Sequence, residues 1–557
     1  MRSATLAFAV AVLLCACGRP AAKPPAAPPE PSIAITHLTV VDVAAGRLVP
    51  GQKVVVRGGR IVAAGDTVRV VVPAGATVVD GRGRFLIPGL WDMHVHALFD
   101  AEVARTFLPR FVAEGVTGVR DMGGKVEVMR AARFAVLAGT LVGPRIVAAG
   151  RILDGPQPVD SSVSIAVGTP DQARAAVDSL ANSGADFIKV YTLLPRAAYF
   201  ATLREAARLH LPVAGHVPAD VTTLEAADSG QRSIEHLRDE VEPLCKAAAA
   251  AACGRILDSL RAHRVWLVPT LVVLRMKALL DDSLVTADPR VATMPELVRN
   301  AWEGIRTGKA DRPPAYWREK RVRYLGELAL TGAAWKDSVS LLAGTDAGAL
   351  YTYPGSSLHD ELAQLVRAGL TPAAALRAAT LGPAEFLGAT DTLGTVAAGK
   401  VADLVLLDAD PLADIRNTRS IRAVVLRGRL FGREALDALG PGLPADTTGP
   451  GRVPSPTAAP QRFFSAGPTL AFFDCGGVRL MLGPASEPRF DHPASIVYYQ
   501  VKDILAAFAT LKGRGALVER EPQLTATMGT YELWISFLRD PDENILALMS
   551  EVPLPKA

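Results

Sequence analysis

The sequence predicts an α/β protein: a TIM-type (β/α)8 barrel, a small β-sandwich domain built from both of its flanks, and a C-terminal α+β domain. Three observations carry that expectation. Short apolar strand candidates alternate with helical patterns eight times, which argues for parallel βα units. β-rich stretches of similar character lie on both sides of that region. A segment dense in Pro and Gly, 440–461, then separates it from a last run of strands. The barrel candidates are GLWDMHVH from Gly89, VTGVRDMG from Val116, PRIVAAG from Pro144, FIKVY from Phe187, PVAGHV from Pro212, SIEHL from Ser233, VWLVPTLVV from Val265 and LLAGTDAG from Leu341. Eight strands over roughly 300 residues fit such a barrel.

Taken in order, residues 1–16 read as a signal peptide. Arg2 supplies a positive start, and Ala4–Leu14 is an apolar run too short to span a bilayer. The end of that run, Leu14-Cys15-Ala16-Cys17-Gly18, resembles a bacterial lipobox, which implies lipidation at Cys17. Residues 17–32, with six Pro between Arg19 and Ser32, then form a semi-rigid tether. The expected location is outside the cytoplasm, with the protein lipid-anchored to a bacterial membrane. In a Gram-negative cell Gly18, in place of Asp, points to the periplasmic side of the outer membrane.

Residues 33–88 and 390–436 supply the sandwich strands, with Gly58-Gly59 as a hairpin turn. Residues 89–389 form the barrel. Its stretch 274–340, holding Trp302, Tyr316 and Trp317, is a candidate lid or substrate-selecting insertion. Thr371 caps a helix that Pro372 opens. The last domain, 462–557, has strands TLAFFD, VRLMLG, IVYYQV, ELWISFL and ILALMS with one amphipathic helix.

Composition excludes several classes. With 60 basic and 56 acidic residues the formal charge is +4, so no nucleic-acid partner is expected. Five Cys in 557 residues exclude a disulfide scaffold. Cys245 and Cys253 would be about 12 Å apart on a continuous helix, too far for a bridge, whereas a broken helix would allow one.

The nine histidines are scarce, and their positions are informative. His94 and His96 end the first barrel strand and share a face, since strand residues i and i+2 do. Lys189 ends the fourth strand within the apolar run GADFIKVY, where a charge is costly unless paired or chemically changed. His216, His236 and Asp346 end the fifth, sixth and eighth strands. All six side chains converge on the C-terminal mouth, where barrel active sites lie. Tyr191, His359 and Arg120 sit near that mouth in sequence and are candidate substrate contacts. An ion pair within the protein is the alternative for Arg120.

These residues resemble the amidohydrolase superfamily from about Ile33 to Leu436. The likeness runs through PGLWDMHVH, GVTGVRDMGG, GADFIKVY, VAGHVP, SIEHL, AGTDAG and LGTVAAGKVADLVLLDADPL, and is nearest to imidazolonepropionase-like and Xaa-Pro dipeptidase-like members. The resemblance implies two divalent metal ions, of which zinc is the expected kind. His94, His96 and Asp346 would bind one and His216 and His236 the other, with carboxylated Lys189 bridging both. It further implies hydrolysis by a hydroxide shared between the ions, with Asp346 as catalytic base and acid. The expected substrate is a small molecule or dipeptide with a C–N amide bond. The alternatives are a cyclic amide, a lactone or a phosphotriester, or a ligand-binding surface lipoprotein without catalysis. A homo-oligomer is compatible with either.

Residues 462–552 resemble the vicinal oxygen chelate (glyoxalase-like) family, whose fold pairs βαβββ modules. The opening βα of a first module is missing. The family's metal positions fall near Met481, Ile496 and Ala547, none a ligand for a hard cation. A binding, packing or dimerising role is therefore expected of this domain.

Overall fold

The computed structural model describes residues 32–237 and 250–440, and within the last domain 461–466, 470–474, 479–482, 497–501, 503–513, 516–528, 531–539 and 545–553. The proposed signal peptide, Cys17 and its tether, Cys245, most of the 440–461 linker and His492 lie outside these residues. No described helix is long and apolar enough to cross a membrane. Cys253 is disulfide-bonded.

Strands β1 (Ser32–Asp42), β2 (Arg47–Arg57), β3 (Arg60–Asp66), β4 (Thr77–Asp80) and β5 (Phe85–Pro88) precede the barrel. The barrel strands are β6 (Leu90–Val95), β7 (Val116–Asp121), β8 (Arg145–Ala148), β9 (Ile152–Asp154), β10 (Ser164–Ala166), β11 (Ile188–Val190), β12 (Val213–Gly215), β13 (Ser233–Glu235) and β14 (Trp266–Val268). After it come β15 (Leu404–Leu407), β16 (Ile421–Leu426) and β17 (Arg429–Gly432).

The barrel strands pair in parallel, with three departures from the sequence reading, one being that Leu271–Val273, read as the end of the seventh strand, open the helix Leu271–Ala278. The third strand is split into β8 and β9 around Gly150, which has φ +69°, and β10 adds to its edge. The eighth segment is not a regular strand. It closes the barrel through bridges Leu267↔Leu341 and Val95↔Ala347 and through Met93 N–H donating to Ala343 O at 2.9 Å. Positive φ at Asp346 (+62°) and Gly348 (+103°) breaks its ladder at the mouth.

The flanking strands form one continuous sheet, order β17-β16-β15-β5-β1-β2-β3 with β4 beside β1, where a two-sheet sandwich was expected. The sheet folds over its own apolar face. Ile35, Leu38, Val56 and Ile61 from the N-terminal strands share a core with Leu404, Leu406 and Val425. The alternate residues Ile87, Val405, Leu407 and Val424 pack into the barrel core. A strand buried on both faces reads as an unbroken apolar run, which explains LVLL at β15.

At the C-terminus, Val497–Gln500, helix Ile504–Gly513, Leu517–Met528, Tyr531–Arg539 and Ile545–Pro553 form a βαβββ unit. Its first strand lies parallel to its last, and Leu517–Met528 takes the outer edge. That edge strand carries charged and polar residues, so the apolar pattern did not reveal it. Gln461–Ala466, Leu470–Asp474 and Arg479–Leu482 form a separate antiparallel sheet. Gln461, read as linker, already belongs to it.

Candidate metal centre

Strand register brings the six predicted side chains to one end of the barrel. His94 lies in β6, with His96 just past its end, and Lys189 is the middle residue of β11. His216 and His236 directly follow β12 and β13. The tightest group is His94, His236 and Asp346, whose donor atoms all lie within 4.8 Å of one another. That trio cuts across the division of ligands the resemblance implies. His96 joins it through Nε2, 3.3 Å from Asp346 Oδ1, an atom that is 3.5 Å from His94 Nε2. His216 lies edge-on to His236 with ring centres 5.1 Å apart.

Each histidine is anchored through Nδ1. The partners are Glu235 Oε2 for His94 (2.8 Å), Gly123 O for His96 (3.1 Å), Thr192 Oγ1 for His216 (2.8 Å) and Thr270 Oγ1 for His236 (2.5 Å). Thr270 donates its own hydroxyl to Pro269 O, so its lone pairs face His236. For His94 and His236 a proton on Nδ1 leaves Nε2 as the lone-pair atom, the tautomer a metal ligand requires, whereas His96 Nε2 faces the Asp346 carboxylate.

The backbone is tuned to this arrangement. His236, Thr270 and Asp346 all occupy the left-handed region, at φ +60°, +49° and +62°. Such strain costs about 1–3 kcal/mol per residue and collects at functional sites. Before His216, Gly215 has φ +136°, and a Cβ there would lie 2.1 Å from Val190 O. Only glycine lets β11 and β12 approach closely enough to set Lys189 beside His216.

Electrostatics agree with a cation site. Burial and the neighbouring Lys189 pull His94 down to about 4, and burial holds His236 well below its ordinary value. Both rings are therefore neutral. His96 moves the other way, because its contact with Asp346 outweighs burial. Burial opposes ionisation of Asp346, but its hydrogen bond to His96 outweighs burial and holds the carboxylate well below its ordinary value. Lys189 is fully buried, its Nζ has no hydrogen-bond partner, and burial lowers it to about 8. A neutral amine is the form that takes up carbon dioxide to become a carbamate. His94 Nε2 is likewise buried without a hydrogen bond. Orphaned buried donors beside an ionised carboxylate are what a metal ion would satisfy, and this nitrogen–oxygen donor set suits a borderline divalent cation.

Sequence reading missed a buried layer beneath the ligands. Glu235 bonds His94 on one side and Arg120 Nη2 on the other, at 2.7 Å. Asp92 accepts from Thr345 Oγ1 at 2.6 Å and from the amides of His94 and Thr345. Asp121 accepts from the amides of Ala97, Leu98 and Gly123. The signal was present in each case: a charged residue inside a short apolar strand must find a partner. Lys277, whose Nζ is 4.0 Å from Asp346 Oδ2, had no such signal.

Three expectations need correction. Arg120 is fully buried and bonded to Met93 O, Ser233 Oγ and Glu235, so it braces the ligand layer and does not reach substrate. His359 is also fully buried, between Thr418 Oγ1 (2.9 Å) and Glu114 O (3.2 Å), away from the mouth. Trp302 is no lid residue: it is buried, donates to Gly348 O at 3.3 Å and packs on Tyr351 and Tyr353, pinning the loop after Asp346. Tyr191 remains at the mouth, its ring 4.1 Å from that of His216.

A parallel barrel with histidines, a lysine and an aspartate at its C-terminal mouth presents a candidate metal site where barrel enzymes carry their active sites. Residues 85–431 match the Amidohydrolase family, well over half of the chain, and the protein belongs to that family. It is an enzyme of the amidohydrolase family. An imidazolonepropionase from Sphingopyxis alaskensis is 26% identical over 389 residues, covering 66% of this chain and 89% of its own length. An adenine deaminase from Rubrobacter xylanophilus is 25% identical over 418 residues, covering 70% of this chain. The chain spans only 56% of that deaminase's length. A crystal structure described as a prolidase from Bifidobacterium longum superposes with a TM-score of 0.60 at 25% identity, covering 74% of this chain and 98% of its own.

Proposed function

We propose that the protein hydrolyses the C–N amide or peptide bond of a small substrate, in the manner of a dipeptidase, using two zinc ions at the barrel mouth. His94, His96, His216, His236, Asp346 and carboxylated Lys189 would hold them. The observation that carries this reading is the set of four histidines gathered with Asp346 and Lys189 at the mouth, each held at Nδ1 by a hydrogen-bond partner so that Nε2 is left for an ion. Bound divalent ions supply Lewis acidity toward the scissile carbonyl and acidify water for attack.

The chain's own residues do the rest. Asp346, ionised among the imidazoles, takes the proton of the attacking water and returns it to the leaving nitrogen. Glu235 and Thr270 hold the rings of His94 and His236 against rotation. The ring of Tyr191 covers His216 and forms part of the substrate wall. No nucleophilic side chain is required. A cyclic amide is the second reading, favoured by the match to imidazolonepropionase over 89% of that enzyme's length. We further propose that Cys17 carries a lipid anchor and that residues 462–552 are a shortened glyoxalase-like module serving packing or binding.

Metal analysis of the purified protein, joined to a screen of dipeptides, N-acyl amino acids and cyclic amides, tests the main reading. We expect close to two metal ions per chain. Alanine at His94 and His96 should abolish turnover, by at least about 10³-fold if the metals supply several kcal/mol of transition-state stabilisation. Protein that stays inactive on every amide after zinc or manganese is supplied would refute it.

A further inference from the structure

We propose that the cavity beside the metal centre is a carboxylate subsite, so that the preferred substrate is an anionic amide. This rests on the amide-hydrolase reading above and names its substrate class.

The cavity, about 150 Å³, lies between helix Leu271–Ala278 and helix Pro314–Lys336, with Lys309 closing one side. Its first wall is tied directly to the site. Helix Leu271–Ala278 starts just after Thr270, the residue that bonds His236. Leu274, Lys277 and Ala278 lie on one face of it, by the i, i+3, i+4 rule, and line the cavity. Lys277 is thus a wall residue whose ammonium also stands 4.0 Å from Asp346 Oδ2.

The second wall carries the charge. Tyr316, Lys320, Arg323 and Glu327 form one stripe of helix Pro314–Lys336. Glu327 is the only carboxylate among the described lining residues, and it lies 3.4 Å from Arg323 Nε. Lys309 and Lys320 have no carboxylate partner among the described residues. Lys320 Nζ instead stands 5.1 Å from the ring centre of Tyr316. Lys309 and Lys320, both partly buried, give the cavity a positive lining that favours an anion. A carboxylate fits because a small amide substrate can carry one on its side chain, within reach of a cavity beside the scissile bond.

The test uses the full chain loaded with zinc and matched dipeptide substrates that differ only in charge, Glu against Gln and Asp against Asn. Wild type should favour the anionic member. In Lys309→Ala/Lys320→Ala that preference should fall at least about tenfold, through KM, which is the loss of roughly one charge-assisted hydrogen bond. Thermal melting confirms folding, and the gentler Lys309→Gln/Lys320→Gln pair repeats the measurement. No preference in wild type, or one that survives in both double variants, overturns the proposal. Glutarate provides an arm independent of turnover. Calorimetry should show it bound by wild type and weakened by the double variants, and kinetics should show competitive inhibition. Noncompetitive inhibition would make the cavity a free-anion site and overturn the assignment. Should wild type hydrolyse no amide, the functional reading fails while glutarate binding still decides the cavity: equal affinity in wild type and variants overturns it.

Discussion

Glu235 shows how much of this centre depends on one residue that never touches substrate. Its two oxygens are divided, Oε2 to His94 Nδ1 and Oε1 to Arg120 and Ser233. Burial alone would raise its pKa, yet Arg120 and His94 outweigh burial and bring it to about 2. Glu235→Gln keeps the shape but leaves the Arg120 guanidinium buried without a counter-charge. Breaking one partner of such a pair costs about 3–5 kcal/mol, and losing the outer carboxylate lowers metal affinity about 10- to 100-fold. The double variant Arg120→Met/Glu235→Gln should recover much of the stability in chemical denaturation while zinc competition still shows weakened binding. Recovery of both would mean that Glu235 acts only as the partner of Arg120.

Between the residues and the whole molecule stand the short barrel strands, three residues each at β11, β12 and β13. Their ends deliver the ligands, so their spacing matters more than their length. Gly215→Ala should therefore act on two functions together. With φ +136° and Val190 O 2.1 Å from the added Cβ, β12 must move away from β11. We expect a loss of at least about 2 kcal/mol in denaturant unfolding, the range for steric strain at a special backbone position. Bound zinc should drop from two ions toward one as Lys189 and His216 separate. Full zinc occupancy in a destabilised Gly215→Ala protein would show that β12 adjusts without moving the ligand. These elements also explain what the sequence could disclose. A charged or imidazole side chain ending an apolar parallel strand has one place to point, the mouth, so His94, His96, Lys189, His216, His236 and Asp346 were legible. Arg120 takes the ion pair that stood as the alternative to a substrate contact, and His359 was misjudged, because nearness in sequence does not give side-chain direction. One points down the barrel axis to Glu235, and the other lies on a helix facing Thr418. Lys277 reaches Asp346 from a helix in the insertion, a juxtaposition made by tertiary packing alone.

At the scale of the molecule, β15 makes the flanking sheet and the barrel a single cooperative body. Leu404 and Leu406 face the sheet's own core, while Val405 and Leu407 face the barrel, and all four are buried. β5 and β16 alternate in the same way, so three adjacent strands are held on both faces. A barrel whose ligand-bearing strand β6 follows β5 after the single residue Gly89 cannot keep its mouth in register if that sheet unfolds first. Leu406→Ala and Val405→Ala therefore make a matched pair that probes opposite faces of one strand. Large-to-small changes of this kind cost about 2–5 kcal/mol for Leu, and less for Val. Zinc, by binding only the folded site, should raise the melting temperature of the transition to which the barrel belongs. Both substitutions should lower that same zinc-sensitive transition, each in proportion to its cavity, without splitting it. If Leu406→Ala instead produced an early, zinc-insensitive transition while the zinc-sensitive one stayed in place, the sheet would be an independent domain and its contacts with the barrel incidental to the metal centre.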